Sequence, residues 1–159
     1  MVQIREATAT AADADVLDNM VRELAAHEGD LEHVHVTAEG WRTLLARNDV
    51  TVLIAEEDGE AIGFTSTVRR LQLWSGGELL ALDDLFVRPR HRDKGVGAQL
   101  MSAVARLAAR DDLLVTWGVR LDNHAGQRFY ARLGATLNTK MSAAWTPEAY
   151  RRHLANTSH

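Results

Sequence analysis

The stretch Leu82-Asp-Asp-Leu-Phe-Val-Arg-Pro-Arg-His-Arg-Asp-Lys-Gly-Val-Gly97 decides the fold of this chain. An apolar run up to Val87 enters a turn rich in Arg88, Arg90, His91, Arg92 and Lys94, and an amphipathic helix opens at Gly95. The N-terminus of a helix leaves several backbone N–H groups unpaired and carries about half a positive charge from the aligned peptide dipoles. Gly95 and Gly97 place no Cβ between that backbone and an anion. Arg88, Arg90, Arg92 and Lys94 add mobile positive charge. A strand-to-helix turn of this composition is suited to a phosphate.

Two phosphate loops do not fit. A Walker loop closes on Gly-Lys-Ser/Thr, whereas Gly97 is followed by Ala98-Gln99. A dinucleotide fingerprint needs a third glycine, where Leu100 stands. The remaining pattern, Arg92-x-x-Gly95-x-Gly97 between a strand and a helix, resembles the acetyl-CoA pyrophosphate loop of the GNAT superfamily of N-acetyltransferases. A second segment strengthens the resemblance. Trp117-Gly-Val-Arg-Leu-Asp-Asn-His-Ala-Gly-Gln-Arg-Phe-Tyr-Ala-Arg-Leu-Gly-Ala135 looks like the later motif of that family, an Asn followed by a helix ending in Phe-Tyr-x-x-x-Gly-Ala. Asn123 suits an N-cap, Ala125, Phe129 and Leu133 recur on one helical face, and Gly134 suits a C′ stop. The likeness spans about Ile4 to Trp145.

The resemblance implies a mixed α/β sheet, mostly antiparallel with one splayed parallel pair, flanked by helices. It also implies an acetyl-CoA-dependent enzyme. Backbone groups of Leu85, Phe86 and Val87 are then expected to hold the acetyl and pantetheine portion. Arg92, Asp93, Lys94, Gly95, Val96, Gly97 and Ala98 are expected around the pyrophosphate, with Asn123 and Gly126 completing the cofactor set. Asp93 departs from the family, in which Gly is common after this arginine, and its carboxylate is unfavourable there unless it turns outward. Leu85–Val87 also reads as a plain core strand, and Asn123 as an N-cap alone.

Acetyl transfer to an amine needs a neutral nucleophile and a proton for the leaving thiolate. A thiol titrates near about 8.5 and a phenol near about 10, so Tyr130 can serve as the general acid, or it can pack beside Phe129. Asp83 and Asp84 interrupt an apolar strand in which adjacent side chains alternate faces, so at least one is expected to be partly buried with a partner. This acidic pair, and Leu24-Ala-Ala-His-Glu28, resemble the diamine and polyamine (spermidine/spermine-type) branch of the family. There the acids at the positions of Asp83 and Asp84 hold a cationic substrate and can pass its proton to water, and an acid at the position of Glu28 binds the substrate. A structural role for both aspartates is the competing reading. Other acceptors compatible with the chemistry are an aminoglycoside or a protein amine. A non-catalytic acyl-CoA-binding domain has no use for Tyr130 and the acidic pair.

At 159 residues the chain has the length of a single domain, here expected over 1–159. A formal net charge of −4 argues against nucleic acid, and the short basic cluster is better explained by one small anionic ligand. There is no cysteine, which removes disulfides and thiolate chemistry. His33 and His35 lack a third ligand at a telling spacing, so no metal is expected. No apolar run is long enough for a membrane span, and Met1-Val-Gln-Ile-Arg-Glu has no secretory core, so no membrane and a cytoplasmic location are expected. The family resemblance adds the expectation of a homodimer, with Lys140 to Trp145 and the following helix supplying the interface.

Elsewhere the sequence predicts a first strand at Val2 to Arg5 and a helix from Thr10 to about His27, facing inward through Val16, Met20, Val21 and Leu24. A Thr37-capped helix should follow, then strands over Val50 to Glu56 and Ala61 to Arg70 joined at Asp58-Gly59. Ser75-Gly76-Gly77 should turn into a strand over Glu78 to Val87. Strands at Leu114 to Val119 and Lys140 to Trp145, and a terminal helix capped at Thr146-Pro147-Glu148, complete the order.

Overall fold

Asp58 and Gly59 both take positive φ, 52° and 80°, which is the type I′ geometry that reverses a chain in two residues. On either side run β2 (Val50–Glu57) and β3 (Glu60–Gln72), and a four-residue turn then leads into β4 (Gly77–Val87). This antiparallel meander is the centre of the sheet in a computed structural model that describes residues 1–157. β1 (Gln3–Glu6) adds antiparallel to β2, and β5 (Leu114–Thr116) adds parallel to β4, giving the order β1-β2-β3-β4-β5. The mixed sheet with one parallel pair is the expected one.

Helices cover both faces. α1 (Ala11–Glu28) starts where Thr10 Oγ1 accepts from Asp13 N–H and stops at Gly29, whose φ of 78° lets its N–H reach back to the last carbonyls. α2 (Ala38–Leu45) is capped in the same way by Thr37. Their inner sides bury Ala14, Leu17, Met20 and Trp41 with Val52, Ile54, Phe64 and Phe86 of the sheet. Leu17, which the sequence reading left out, is fully buried, while Val16, Val21 and Leu24 pack at the margin. α3 (Val96–Ala109) packs against β2, β3 and β4 through Val96, Leu100, Met101, Val104 and Ala108. Val96, Leu100, Met101 and Val104 each contribute about 1.5–3 kcal/mol by leaving water.

The chain divides into two compact units, Met1–Gly118 and a second beginning at Val119. The whole sheet belongs to the first. The second carries α4 (His124–Arg132) and α5 (Pro147–Thr157). The α4 caps fall where expected: Asn123 precedes the helix, and Gly134 (φ 90°) follows it. Thr146 Oγ1 accepts from Ala149 N–H at 3.2 Å and caps α5.

Two expected strands differ. Lys140 to Trp145 is irregular, with Met141 95% exposed and Trp145 turned onto Tyr150 and His153 of α5 at ring distances of 6.3 and 5.3 Å. The segment has no β-branched residue, so little favours extension without a ladder partner. The strand expected over Leu114 to Val119 stops at Thr116, the last residue paired with β4.

Candidate active site

β4 leaves ideal register where the acidic pair stands. Ser66 pairs with Asp84 but Thr67 pairs with Leu82, so Asp83 is the extra residue of a β-bulge. A bulge interrupts the strict alternation of a strand at this point. Asp84 shares its side of the sheet with Phe86, two residues on, and that side faces α1. Asp83 is exposed and Asp84 is half-buried. Ser66 Oγ donates to Asp84 Oδ2 at 3.1 Å, and Thr65 Oγ1 donates to the Asp84 carbonyl at 2.8 Å.

Two separate parts of the sequence, Glu28 and the Asp83-Asp84 pair, act electrostatically on one carboxyl here. Burial is the main influence raising the Asp84 carboxyl above its ordinary value; Ser66 opposes it, and the negative charges of Asp83 and Glu28 add to it. Glu28, the last residue of α1, is thus brought into the electrostatic reach of the bulge.

The same strand offers a polar edge. Arg88 N–H donates to the Ile62 carbonyl at 2.8 Å, which fixes the phase of the β3–β4 ladder. Phe86, paired with Phe64, then turns its backbone groups toward β3, whereas Leu85 and Val87 turn theirs the opposite way. On that opposite side the β5 ladder has already ended at Ala81 opposite Thr116. Gly63 is required beneath this edge, since a Cβ there would stand 2.6 Å from the Phe86 carbonyl oxygen.

The basic loop is less mobile than its composition suggests. Arg88 is held by Glu23 of α1 at 2.8 and 3.0 Å and donates to the Ala61 carbonyl at 2.7 Å, so it braces the loop base. Arg92 Nε donates to the Val87 carbonyl at 2.9 Å. His91 Nδ1 lies 3.4 Å from Glu57 Oε2 but outside hydrogen-bonding geometry. Arg90 and Lys94 are exposed. Asp93 has φ 60°, a left-handed conformation that Asp tolerates better than most residues, and it is exposed. This accounts for an Asp at a position where the family commonly has Gly. Gly95, φ 80°, precedes α3 with no side-chain cap, and a Cβ there would meet nothing within 4 Å. Gln99 N–H makes the first helical bond, to Gly95, so the N–H groups of Val96, Gly97 and Ala98 point out of the first turn.

In the second unit, Asn123 Oδ1 accepts from Gly126 N–H at 2.9 Å, so its cap role is realised. A Cβ at Gly126 would fall 2.6 Å from Asn123 Nδ2, which gives that glycine a structural reason of its own. Tyr130 packs its ring 5.2 Å from that of Phe129, and burial pushes its phenol above the usual value.

The family model of the acetyltransferase (GNAT) family matches residues 17–135. The chain belongs to the GNAT acetyltransferase family. An uncharacterized N-acetyltransferase of Bacillus subtilis (strain 168), YhfO, is 37% identical over 112 residues, covering 69% of this chain and 72% of the relative. An uncharacterized N-acetyltransferase of Archaeoglobus fulgidus is 32% identical over 127 residues, covering 76% and 86%. Among solved structures, the aminoglycoside N-acetyltransferase AAC(6')-Iy in complex with CoA superposes with a TM-score of 0.77 at 20% identity, covering 92% of this chain and 95% of that one. The protein is thus a GNAT-family N-acetyltransferase with the GNAT fold.

Sequence reasoning missed Thr65 and Ser66, although a signal was present. Thr65-Ser66-Thr67 puts three hydroxyls side by side between the apolar Ala61-Ile-Gly-Phe64 and Val68, and buried hydroxyls require partners inside the protein. No helix among the described residues is long and apolar enough to cross a membrane.

Proposed function

We propose that this GNAT enzyme acetylates a primary amine of a small substrate bearing more than one positive charge, of the polyamine or lysine-like diamine class, with acetyl-CoA as donor. The observation that supports the reading is the half-buried Asp84 carboxyl at the β4 bulge, on which the negative charges of Asp83 and Glu28 act. A half-buried carboxylate with two further acids acting on it favours a cationic ligand.

Acetyl-CoA, when bound, supplies a thioester carbonyl. The outward N–H groups of Val96, Gly97 and Ala98 suit a pyrophosphate, with Arg92 and Lys94 adding charge. Leu85 and Val87 offer backbone N–H donors, and Leu85 a carbonyl acceptor, along the open edge of β4, suited to the pantetheine arm, and such donors also stabilise an oxyanion. Asn123 and Gly126 belong to this reading as well. Tyr130, a protonated phenol at neutral pH, is the donor to the leaving thiolate.

An ammonium titrating near about 10.4 must lose its proton before its nitrogen can attack. Asp84, directly or through water, receives that proton, while Asp83 and Glu28 hold a second cationic group. Activity should therefore climb from pH 7 to about 9. A panel of diamines, matched monoamines, an aminoglycoside and a lysine peptide, followed by thiol release from acetyl-CoA, tests the reading. Diamines should exceed monoamines, and Asp83→Asn and Asp84→Asn should raise KM at least as much as they lower kcat. Equal or better turnover of monoamines would refute the substrate class.

A further inference from the structure

Ser66 sits 7% exposed in the middle of β3 between Thr65 and Thr67, which are 0% and 1% exposed. Thr67 Oγ1 donates to the Thr51 carbonyl on the neighbouring strand at 2.9 Å, an ordinary structural use of a buried hydroxyl. The other two converge on one residue of β4. Thr65 Oγ1 reaches the Asp84 carbonyl at 2.8 Å, and Ser66 Oγ reaches Asp84 Oδ2 at 3.1 Å. Their target follows the bulged residue, where the ladder is locally disturbed and the backbone needs donors from elsewhere.

We propose that Ser66 is a positioning residue of the acetyl-transfer site, fixing the Asp84 carboxylate so that Oδ1 is presented to the substrate amine, with Thr65 holding the bulge beneath it. The inference rests on the acceptor-site reading above. A carboxylate on a strand can rotate about two side-chain torsions, and a single hydrogen bond from a buried, rotamer-limited donor selects one arrangement. With Oδ2 engaged by Ser66, Oδ1 is the oxygen that accepts the amine proton: the ammonium N–H bond breaks as the Oδ1–H bond forms.

A serine also meets an electrostatic need. Burial is the main influence on the Asp84 carboxyl, and the charged groups facing it, Asp83 from its own strand and Glu28 from the end of α1, add to that effect. All three disfavour the ionised carboxyl; the Ser66 hydroxyl favours it. An apolar residue at position 66 would pack as well and remove that support. Positioning and ionisation thus depend on the same O–H.

The test combines carbon-13 NMR titration of the Asp84 carboxyl in ligand-free enzyme with steady-state kinetics on a diamine. Ser66→Ala should move the Asp84 midpoint to higher pH. It should also lower kcat/KM by about tenfold or more, the scale of losing a hydrogen bond to a charged group. Ser66→Thr keeps the hydroxyl and should restore both. Thr67→Val, which removes only the structural hydroxyl, should leave the midpoint in place. If Ser66→Ala does not fold, Ser66→Cys, with its weak donor, takes its place and should shift the midpoint in the same direction. An unmoved midpoint, an unchanged kcat/KM, or a Thr variant as impaired as the Ala variant overturns the inference. A shifted midpoint in an enzyme that rejects cationic amines supports the Ser66–Asp84 link and instead removes the substrate class.

Discussion

Asp13 accepts from Arg5 Nη1 and Nη2 at 2.9 and 2.7 Å, from Thr8 N–H at 2.7 Å and from Thr8 Oγ1 at 3.0 Å. The bond from Arg5 is the main cause that lowers its carboxyl from 3.8 to about 2. A carboxyl depressed by folding contributes stability above its unfolded value and loses it as pH falls through the folded one. Melting temperature should therefore fall as pH drops from about 4 toward about 2, and Asp13→Asn should flatten that limb while costing about 1–3 kcal/mol at neutral pH. Asp84 has the opposite sign. Its folded value is raised by burial first, so the folded state loses stability as pH climbs through that carboxyl's titration. Asp84→Asn should accordingly melt higher than the parent at pH 7 in calorimetry while acetylating more slowly, the usual tension between a site and its scaffold. For Tyr130, replacement by Phe removes only the O–H. Turnover should drop by roughly 10²–10⁴-fold with little change in acetyl-CoA affinity, and near-normal turnover would return the ring to packing beside Phe129.

At the level of elements, the turn before α3 predicts that acetyl-CoA binds far more tightly than a phosphate-free pantetheine thioester in calorimetry, and that Gly97→Trp abolishes the difference. Equal affinities would contradict the loop assignment. This element was legible because everything it needs is consecutive: proline, basic residues, then Gly95. The Asp58-Gly59 turn and the caps at Thr10, Thr37, Asn123 and Thr146 were legible for the same reason. The bulge at Asp83 was not, since register belongs to two strands together and not to either alone. The capture of Arg88 by Glu23 joins residues 65 positions apart, so composition counted it as a free cation. Lys140 to Trp145 lacks a ladder partner, which its own residues cannot reveal, and it is irregular where the sequence predicts a strand.

For the whole molecule, the family resemblance supports a homodimer, a proposal to which the exposed Met141 and Trp145 are relevant. Light scattering at micromolar protein should give twice the 17.6 kDa chain mass, and a monomer mass would end the idea. The sheet carries a different consequence, one of timing. Around Asp58-Gly59 and the four-residue turn, the strands of the meander pair with near neighbours in sequence. β1 must instead bring Gln3 to Glu56, and β5 brings Leu114 to Leu79 through only three paired positions. Contacts close in sequence lose less chain entropy on forming, and short ladders open with the least free energy. In native-state hydrogen exchange, amides of Ile54 and Phe64 should outlast that of Val115 by orders of magnitude. The bulge lies within the persistent meander, so the acidic floor should survive openings that release β5 from the sheet.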